Sequence, residues 1–512
     1  MFDLGRTLLA SVERSPSAAA VVDRDLRLTY AEWLVRISAV AGALHALGLK
    51  RGDHLVLALQ NRWQAATLHW ACQFTGVIAT PLNWRAKPDE LEYCVLDAEA
   101  RAIVFEEVTA AAVAACEACA KIPRITLNAT AIEAIAFDDL LDAKPVFPLL
   151  GAGADDWSVM LYTSGTTGPP KGVPRRHRAE RAAALAHVAQ NLYRAGERTL
   201  GVMPLYHTMG VRSLLAMALV DGCFVCMPRF DPGEALRLIE QERISNLYLV
   251  PTLYHDLLAH PGFSRADIRS VTKLGFAGAS MPDALLERLQ AAFEPQLLVN
   301  HYGSSEIYTF TLTLQATLKP GCAGRAGLNA RVRVIGLDAS GAEDIAAVGQ
   351  EGQIIADLAG DEAFEGYWKR PDADAKALRA GWYYTGDTGY MDADGDLFVT
   401  GRVDDMIISG GENISPVEIE SVLSLHAAVD EAVVVGLPDA RWGQRVVAFV
   451  KRRRSVDAET LDAHCKASRL PNFKRPREYV FVRTIPKSPV GKLLRRKLVA
   501  GEYELEVREP AR

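Results

Sequence analysis

Two hydrophobic periods alternate through most of the first 400 residues. In "LTYAEWLVRISAVAGALHALGL" (28–49) apolar residues recur at i, i+3 and i+4, the stripe of an amphipathic helix, and "HLVLALQ" (54–60) follows as a strand. The pattern returns as "EALRLIEQERIS" then "NLYLV" (234–250), and as "MPDALLERLQAAF" then "QLLVNHYG" (281–303). Such alternation predicts an α/β fold of layered helices and mostly parallel sheets, with ligands gathered where strands end. Near Tyr383 the style changes. "WYYTGDTGYMDADGDLFVTGRVDDMI" (382–407) has β-rich runs parted by Gly/Asp turns, as a hairpin does. Beyond it come a helix in "SPVEIESVLSLH" with Ser415 as N-cap and Pro416 at N1, strands in "VDEAVVVGLPD" and "RVVAFVKR", and a helix in "AETLDAHCKASRL". These predict a small α+β domain over 403–512 after a large domain over 1–402, the boundary lying inside "GRVDD".

Composition narrows the class. The 512 residues are 49% hydrophobic and 23% charged, without low-complexity tracts or long repeats, as in a multi-domain globular chain. The first residues lack the basic and apolar regions of a signal peptide, and "SLLAMALVDGCFVCMP" (213–228) is too short and interrupted to span a bilayer, so a cytoplasmic protein without a membrane partner is expected. Eight cysteines do not make a disulfide framework; the C-x-x-C pairs Cys116/Cys119 and Cys223/Cys226 are too far apart for one zinc site and read as buried thiols. From Lys451 onward 17 Lys/Arg face 8 Asp/Glu, a net +9, leaving −15 on the first 450 residues. No nucleic-acid motif accompanies that charge, which fits a phosphate-bearing small molecule better than DNA or RNA.

One run stands apart from both periods. "YTSGTTGPPKGV" (162–173) gathers hydroxyls, glycines and a lysine, the parts of a polyphosphate cradle: glycines let N–H groups approach an oxyanion and lysine adds charge. It is not a Walker A loop, because Pro169 and Pro170 separate Gly168 from Lys171. Six more runs follow in order: "MPLYH" ending at His207, "FAGAS" (276–280), "HYGSSE" (301–306), "YYTGD" ending at Asp387, "GRVDDMIISGGENISPVEIE" (401–420) and "PKSPVGK" ending at Lys492. Together the seven resemble the adenylate-forming superfamily of acyl-CoA synthetases, adenylation domains and luciferases, across essentially the whole chain. "FAGASMPDALLE", "DARWGQ" and "FKRPREY" are similar to aryl-CoA ligases of the 4-chlorobenzoate or benzoate type.

The resemblance implies an acid activated by ATP as acyl-AMP, then transferred to coenzyme A. It assigns Thr163, Ser164, Gly165, Thr166, Thr167, Gly168 and Lys171 to the ATP phosphates, and Glu306 with Thr166 to Mg²⁺. Gly278, Ala279, Ser280, Tyr302 and Gly303 form the adenine slot, with His301, Ser304, Ser305 and Val399 completing the nucleotide set. Asp387 takes the ribose hydroxyls, assisted by Arg402, and Lys492 is the catalytic lysine, with His207 and Glu306 beside it in the catalytic set. The small domain is implied to swing about a hinge at Asp404. For CoA the matching positions are Arg85, Gly410, Gly411, Glu412, Trp442, Phe473, Arg475 and Arg477. His207, Thr208, Met209, Tyr248, Ala279, His301, Gly303, Tyr308 and Thr309 match the acyl pocket.

Hydroxyl and imidazole groups make that pocket more polar than the chlorobenzoate type, which favours a hydroxy- or amino-benzoate. Plain or halogenated benzoate and cyclic aliphatic or medium-chain acids stay open. So does a stand-alone enzyme that loads a carrier protein, although the CoA-site residues and the lack of a fused carrier count against it. A luciferase-like oxygenase would not need those CoA contacts, and a nucleotide-sensing pseudoenzyme would not keep every catalytic position. The sequence is compatible with a homodimer and does not fix the oligomeric state.

Overall fold

The computed structural model describes residues 2–129, 132–145, 151–163, 169–402, 405–410, 412–468, 470–487 and 493–506. The first amphipathic stretch is the helix Tyr30–Ala46, fixed at its start by a capping box: Thr29 Oγ1 accepts from Glu32 N–H while the Glu32 carboxylate accepts from Thr29 N–H. It packs with the helix Trp63–Thr75, where Trp33 Nε1 donates to Thr67 Oγ1 at 2.8 Å. Trp33, Ile37, Leu68 and Trp70 lie in the largest apolar cluster, which joins these helices to strands of two sheets.

In the larger sheet, Cys223–Cys226, Arg198–Gly201, Asn246–Leu249, Lys273–Phe276 and Leu297–Tyr302 lie side by side and parallel. Apart from Arg198, Asn300 and Tyr302, which are half-buried, every residue of these strands is buried, the environment a sheet covered by helices requires. Ala19–Asp23 joins parallel to Cys223–Cys226, with Val21 opposite Phe224. Beyond Leu297–Tyr302 the pairing turns antiparallel, so the parallel expectation holds for the centre and not for the flank. The predicted hairpin, Trp382–Met391 with Leu397–Arg402, belongs to that flank. The second sheet runs Ile135–Ala136, Arg124–Thr126, Ala102–Phe105, His54–Ala58, Ile78–Pro81 and Trp157–Thr163, all parallel, and ends with the antiparallel Lys171–Arg176.

The C-terminal unit has its own sheet, made by Glu412–Ile414, Ile407–Ser409, Gly443–Arg452, Val429–Asp439 and Glu478–Phe481, and its own core around Ile419, Leu423, Val434 and Leu461. Pro416–Ser424 starts where expected, but Ser415 does not cap it through its side chain. Its Oγ donates to Thr400 O instead, linking this helix to the hairpin. The unit meets the large domain at His255, whose Nε2 lies 3.3 Å from Asp430 Oδ1. The eight cysteines are buried and unlinked. Among the described residues no helix is long and apolar enough to cross a membrane.

Candidate active site

The glycine-rich run joins two strands. Trp157–Thr163 and Lys171–Arg176 pair antiparallel with Thr163 opposite Lys171, so the loop is pinned at both ends. A Walker loop leads into a helix; here Pro169 and Pro170 deliver Lys171 onto a strand. Ser164, Gly165, Thr166, Thr167 and Gly168 lie outside the described residues.

Next to Lys171 stands a residue that sequence reasoning missed. Tyr367 has its ring centre 4.0 Å from Lys171 Nζ, and its hydroxyl donates to Glu306 Oε1 at 2.6 Å. Burial pulls the Lys171 ammonium down in pKa, and Glu306 works against that shift. The Glu306 carbonyl is gripped from behind by Arg175, which is fully buried: its Nη1 donates to Glu306 O at 2.8 Å and to Glu362 O at 2.6 Å, and its Nε lies 2.8 Å from Glu180 Oε1. Backbone N–H of Glu306 donates to Ser304 Oγ at 3.2 Å, while Ser305 is half-buried beside it.

The hairpin sets the next corner. Its register puts Asp387 opposite Arg402, with Arg402 Nη1 3.4 Å from Asp387 Oδ1. Tyr302, arriving at the end of Leu297–Tyr302, donates its hydroxyl to Asp387 Oδ2 at 2.6 Å and packs its ring 5.1 Å from Phe310. Val399 is half-buried on the adjoining strand. Gly278 follows Lys273–Phe276 with φ +84° and is exposed, as is Ser280, while Ala279 is half-buried. At Gly303 any Cβ would stand 2.1 Å from Tyr308 O, so only glycine lets the two segments touch. Thus Tyr302, Asp387 and Arg402 form one group, and Lys171 and Glu306 another.

The residues matched to the acyl pocket fall into two sets. His207 is half-buried at the N-cap of Thr208–Leu219, its Nδ1 accepting from Met209 N–H at 3.3 Å. Thr208 is buried, and Met209 lies in the apolar core. Tyr248, His301, Tyr308 and Thr309 are all at most 3% exposed; the three hydroxyls and His301 Nε2 meet protein partners, while His301 Nδ1 has none among the described residues. The Tyr308 hydroxyl donates to Glu180 at 3.1 Å under the Arg175 guanidinium. The Tyr248 hydroxyl and Thr309 Oγ1 (2.6 Å) both accept from Arg212, a second missed residue. The polar case built on those hydroxyls therefore passes to Arg212 and its neighbours. Arg212 is 2% exposed, and among the described residues no carboxylate comes within 4.0 Å of its nitrogens. Its signal was present: a lone charge in the otherwise apolar "MGVRSLLAMAL".

In the C-terminal unit Gly410 has φ +63° and donates its N–H to Trp442 O at 2.9 Å. Trp442 and Phe473 are each 43% exposed. Glu412 and Arg477 are exposed, and Arg475 is ion-paired with Asp462. Arg85, on the large domain, stacks 3.7 Å over Trp84. Gly411, Asp404 and Lys492 lie outside the described residues.

Residues 8–368 match the AMP-binding enzyme family and 418–492 match the AMP-binding enzyme C-terminal domain. The chain belongs to the AMP-binding enzymes, as an AMP-forming acyl-CoA ligase. It is 34% identical to a 4-chlorobenzoate–CoA ligase from Arthrobacter sp over 95% of this chain and 93% of that protein. It is 31% identical to the long-chain-fatty-acid–CoA ligase FadD13 of Mycobacterium tuberculosis (97% of each) and 32% identical to a feruloyl-CoA synthase from Amycolatopsis sp (96% and 97%). Among solved structures, ATP-bound MatB from Rhodopseudomonas palustris superposes with a TM-score of 0.88 at 27% identity over 98% of each chain. AMP-binding enzymes of this kind use ATP and CoA, so the two corners described above belong to a nucleotide-using ligase.

Proposed function

We propose that this ligase activates an aromatic carboxylic acid. The relatives are named for chlorobenzoate, ferulate and long-chain fatty acids, so membership alone leaves the acid open. The supporting observation is the floor formed by Tyr248, His187, His301 and Arg212. The three ring centres stand 4.9–5.3 Å apart and the guanidinium carbon is 5.2 Å from that of Tyr248. A long alkyl tail needs an apolar tunnel; run against a desolvated guanidinium and two imidazoles, it would leave their polar atoms without partners. A flat acid of ring size carries no such tail.

In this reading a carboxylate oxygen attacks the α-phosphorus of ATP and pyrophosphate departs; the CoA sulfur then attacks the acyl carbonyl and AMP departs. Residues 163–168 with Lys171 hold the β- and γ-phosphates, Asp387 holds the ribose, and Lys492 steadies the charge developing between the carboxylate and α-phosphate. Glu306 offers the hard carboxylate oxygen that Mg²⁺ takes, braced by Tyr367, and with Thr166 would hold that ion; when bound it spreads phosphate charge. The small domain then turns about Asp404, presenting Gly410, Gly411 and Trp442 to pantetheine, with Arg85, Arg475 and Arg477 toward the CoA phosphates.

The test is a panel of acids scored by pyrophosphate release and by CoA-dependent AMP formation without carrier protein. Benzoate-class acids should exceed hexanoate and decanoate in kcat/KM, and preference for either alkyl acid sinks the aromatic reading. Lys492→Ala should lower adenylation on the order of 10²–10³-fold while thioester formation from preformed acyl-AMP persists.

A further inference from the structure

We propose that Arg212, His187 and His301 form a subsite that reads a ring hydroxyl, so that the acid is a hydroxy-substituted aromatic. The inference rests on the aromatic-acid reading above and adds the substituent. It begins with Asn191. The Asn191 amide nitrogen lies 2.8 Å from His187 O, a pure acceptor, which fixes which end of the amide is the donor. The same nitrogen donates to His187 Nδ1 at 2.9 Å, so the His187 proton sits on Nε2. Asn191 Oδ1 then faces His301 Nε2 at 3.2 Å, so that nitrogen carries the proton and His301 Nδ1 is a lone pair.

Three polar atoms remain. His187 Nε2, His301 Nδ1 and Arg212 Nε are buried and have no hydrogen-bond partner among the described residues. The residues that carry them are 1%, 2% and 2% exposed. Burial, then the Arg212 charge, holds both imidazoles well below their usual pKa, so both stay neutral. The three atoms amount to two donors and one acceptor. His301 comes from the strand Leu297–Tyr302, on the same face as Tyr248, while His187 and Arg212 come from the helices His177–Gln190 and Thr208–Leu219. Both imidazole centres lie within 5.1 Å of the Tyr248 ring centre, and the guanidinium carbon lies 5.2 Å from it.

Leaving such atoms unmatched costs free energy, so the matching group can be deduced from its hydrogen-bonding inventory. A hydroxyl has one proton and two acceptor positions. A hydroxyl placed among them would accept from Arg212 Nε–H and His187 Nε2–H and donate to His301 Nδ1, the one small group whose inventory matches all three. A second carboxylate only accepts and leaves the His301 lone pair opposed to an oxygen. A neutral amino group brings two protons to a single acceptor. Chlorine, methyl or hydrogen matches none of them.

The experiment compares kcat/KM for CoA-thioester formation from benzoate, its 2-, 3- and 4-hydroxy derivatives and the corresponding chloro derivatives. One hydroxy isomer should exceed benzoate by at least about 100-fold, since a site built to bond a hydroxyl rejects the analogue lacking it. His301→Leu and His187→Leu should each shrink that ratio by roughly 10-fold or more, chiefly through the hydroxy acid. The wild-type panel needs no variant to fold. Equal rates for benzoate and all three hydroxybenzoates overturn the subsite and leave the aromatic reading standing, whereas preference for decanoate overturns the aromatic reading itself. A crystal structure with the preferred acid in which ordered water, and no substrate oxygen, bonds the three atoms also overturns the subsite.

Discussion

Glu306 owes its place to a tyrosine 61 residues away. The Tyr367 hydroxyl bonds a carboxylate oxygen, and hydrogen bonds to charged groups are worth about 1.5–3 kcal/mol. Tyr367→Phe should therefore lower kcat/KM for ATP roughly 10-fold and raise the Mg²⁺ concentration needed for half-maximal rate. Pyrophosphate release measured across a Mg²⁺ series checks this; an unchanged Mg²⁺ requirement would make Tyr367 a packing residue only. Lys171, Glu306 and Asp387 were singled out in the sequence because each stands in a short run that carries the family resemblance. Tyr367, Asn191 and Arg212 were not, because their meaning comes from partners 36 to 110 positions away. Arg212 was the nearest to legible, as the one charge on the largely apolar helix Thr208–Leu219. The hydroxyls of Tyr248 and Tyr308 were read as pocket groups, and burial turned them toward Arg212 and Glu180.

At the scale of elements, periodicity located most helices and strands, and it could not say which strands pair. The hairpin 382–402 forms as its turns predict, and both its edges pair, with Gly352–Asp357 on one side and Cys322–Ala326 on the other, which makes it part of the large sheet's antiparallel flank. Ser415 stands at the N-cap position its sequence predicts, yet a nearer carbonyl from Thr400 takes its hydroxyl. Gly410 carries the prediction at this scale. It adopts φ +63°, and a Cβ there would meet Trp442 Cε3 at 2.8 Å. Gly410→Ala should displace the indole and strain the turn, slowing thioester formation at least about 10-fold more than adenylation. Rapid-quench measurement of acyl-AMP with and without CoA would show it as accumulated intermediate, and equal slowing of both steps would count against a role in the second.

Over the whole molecule, buried imidazoles set how the protein tolerates acid. Burial holds His54 and His177 at about 4, His69 at about 3, and His187 and His301 lower than usual as well. In the unfolded chain each titrates near 6.5, so below that pH the unfolded state binds more protons and the fold loses stability. The urea midpoint should be flat above about pH 7 and fall steeply from pH 6.5 toward 4. A flat profile to pH 5 would mean these histidines are not buried neutral. The contact between the two domains is a different case. His255, Asp430, Lys451 and Arg453 make a partly exposed charge group, and such pairs contribute about 1 kcal/mol or less. An ion-pair group that weak is compatible with the proposed turn of the small domain about Asp404.

The pairing of Ala19–Asp23 with Cys223–Cys226 has a consequence during synthesis. At about 5–20 residues per second, the first strand leaves the ribosome roughly 10–40 seconds before its partner. Through that interval Ala19–Asp23 can pair only with the neighbouring strand Leu26–Thr29, and its other edge, carrying Val21 and Val22, stays open, a condition that chaperones recognise and aggregation exploits. That open edge persists while about 200 further residues are translated, which makes the first strand of this ligase a point where folding competes with aggregation.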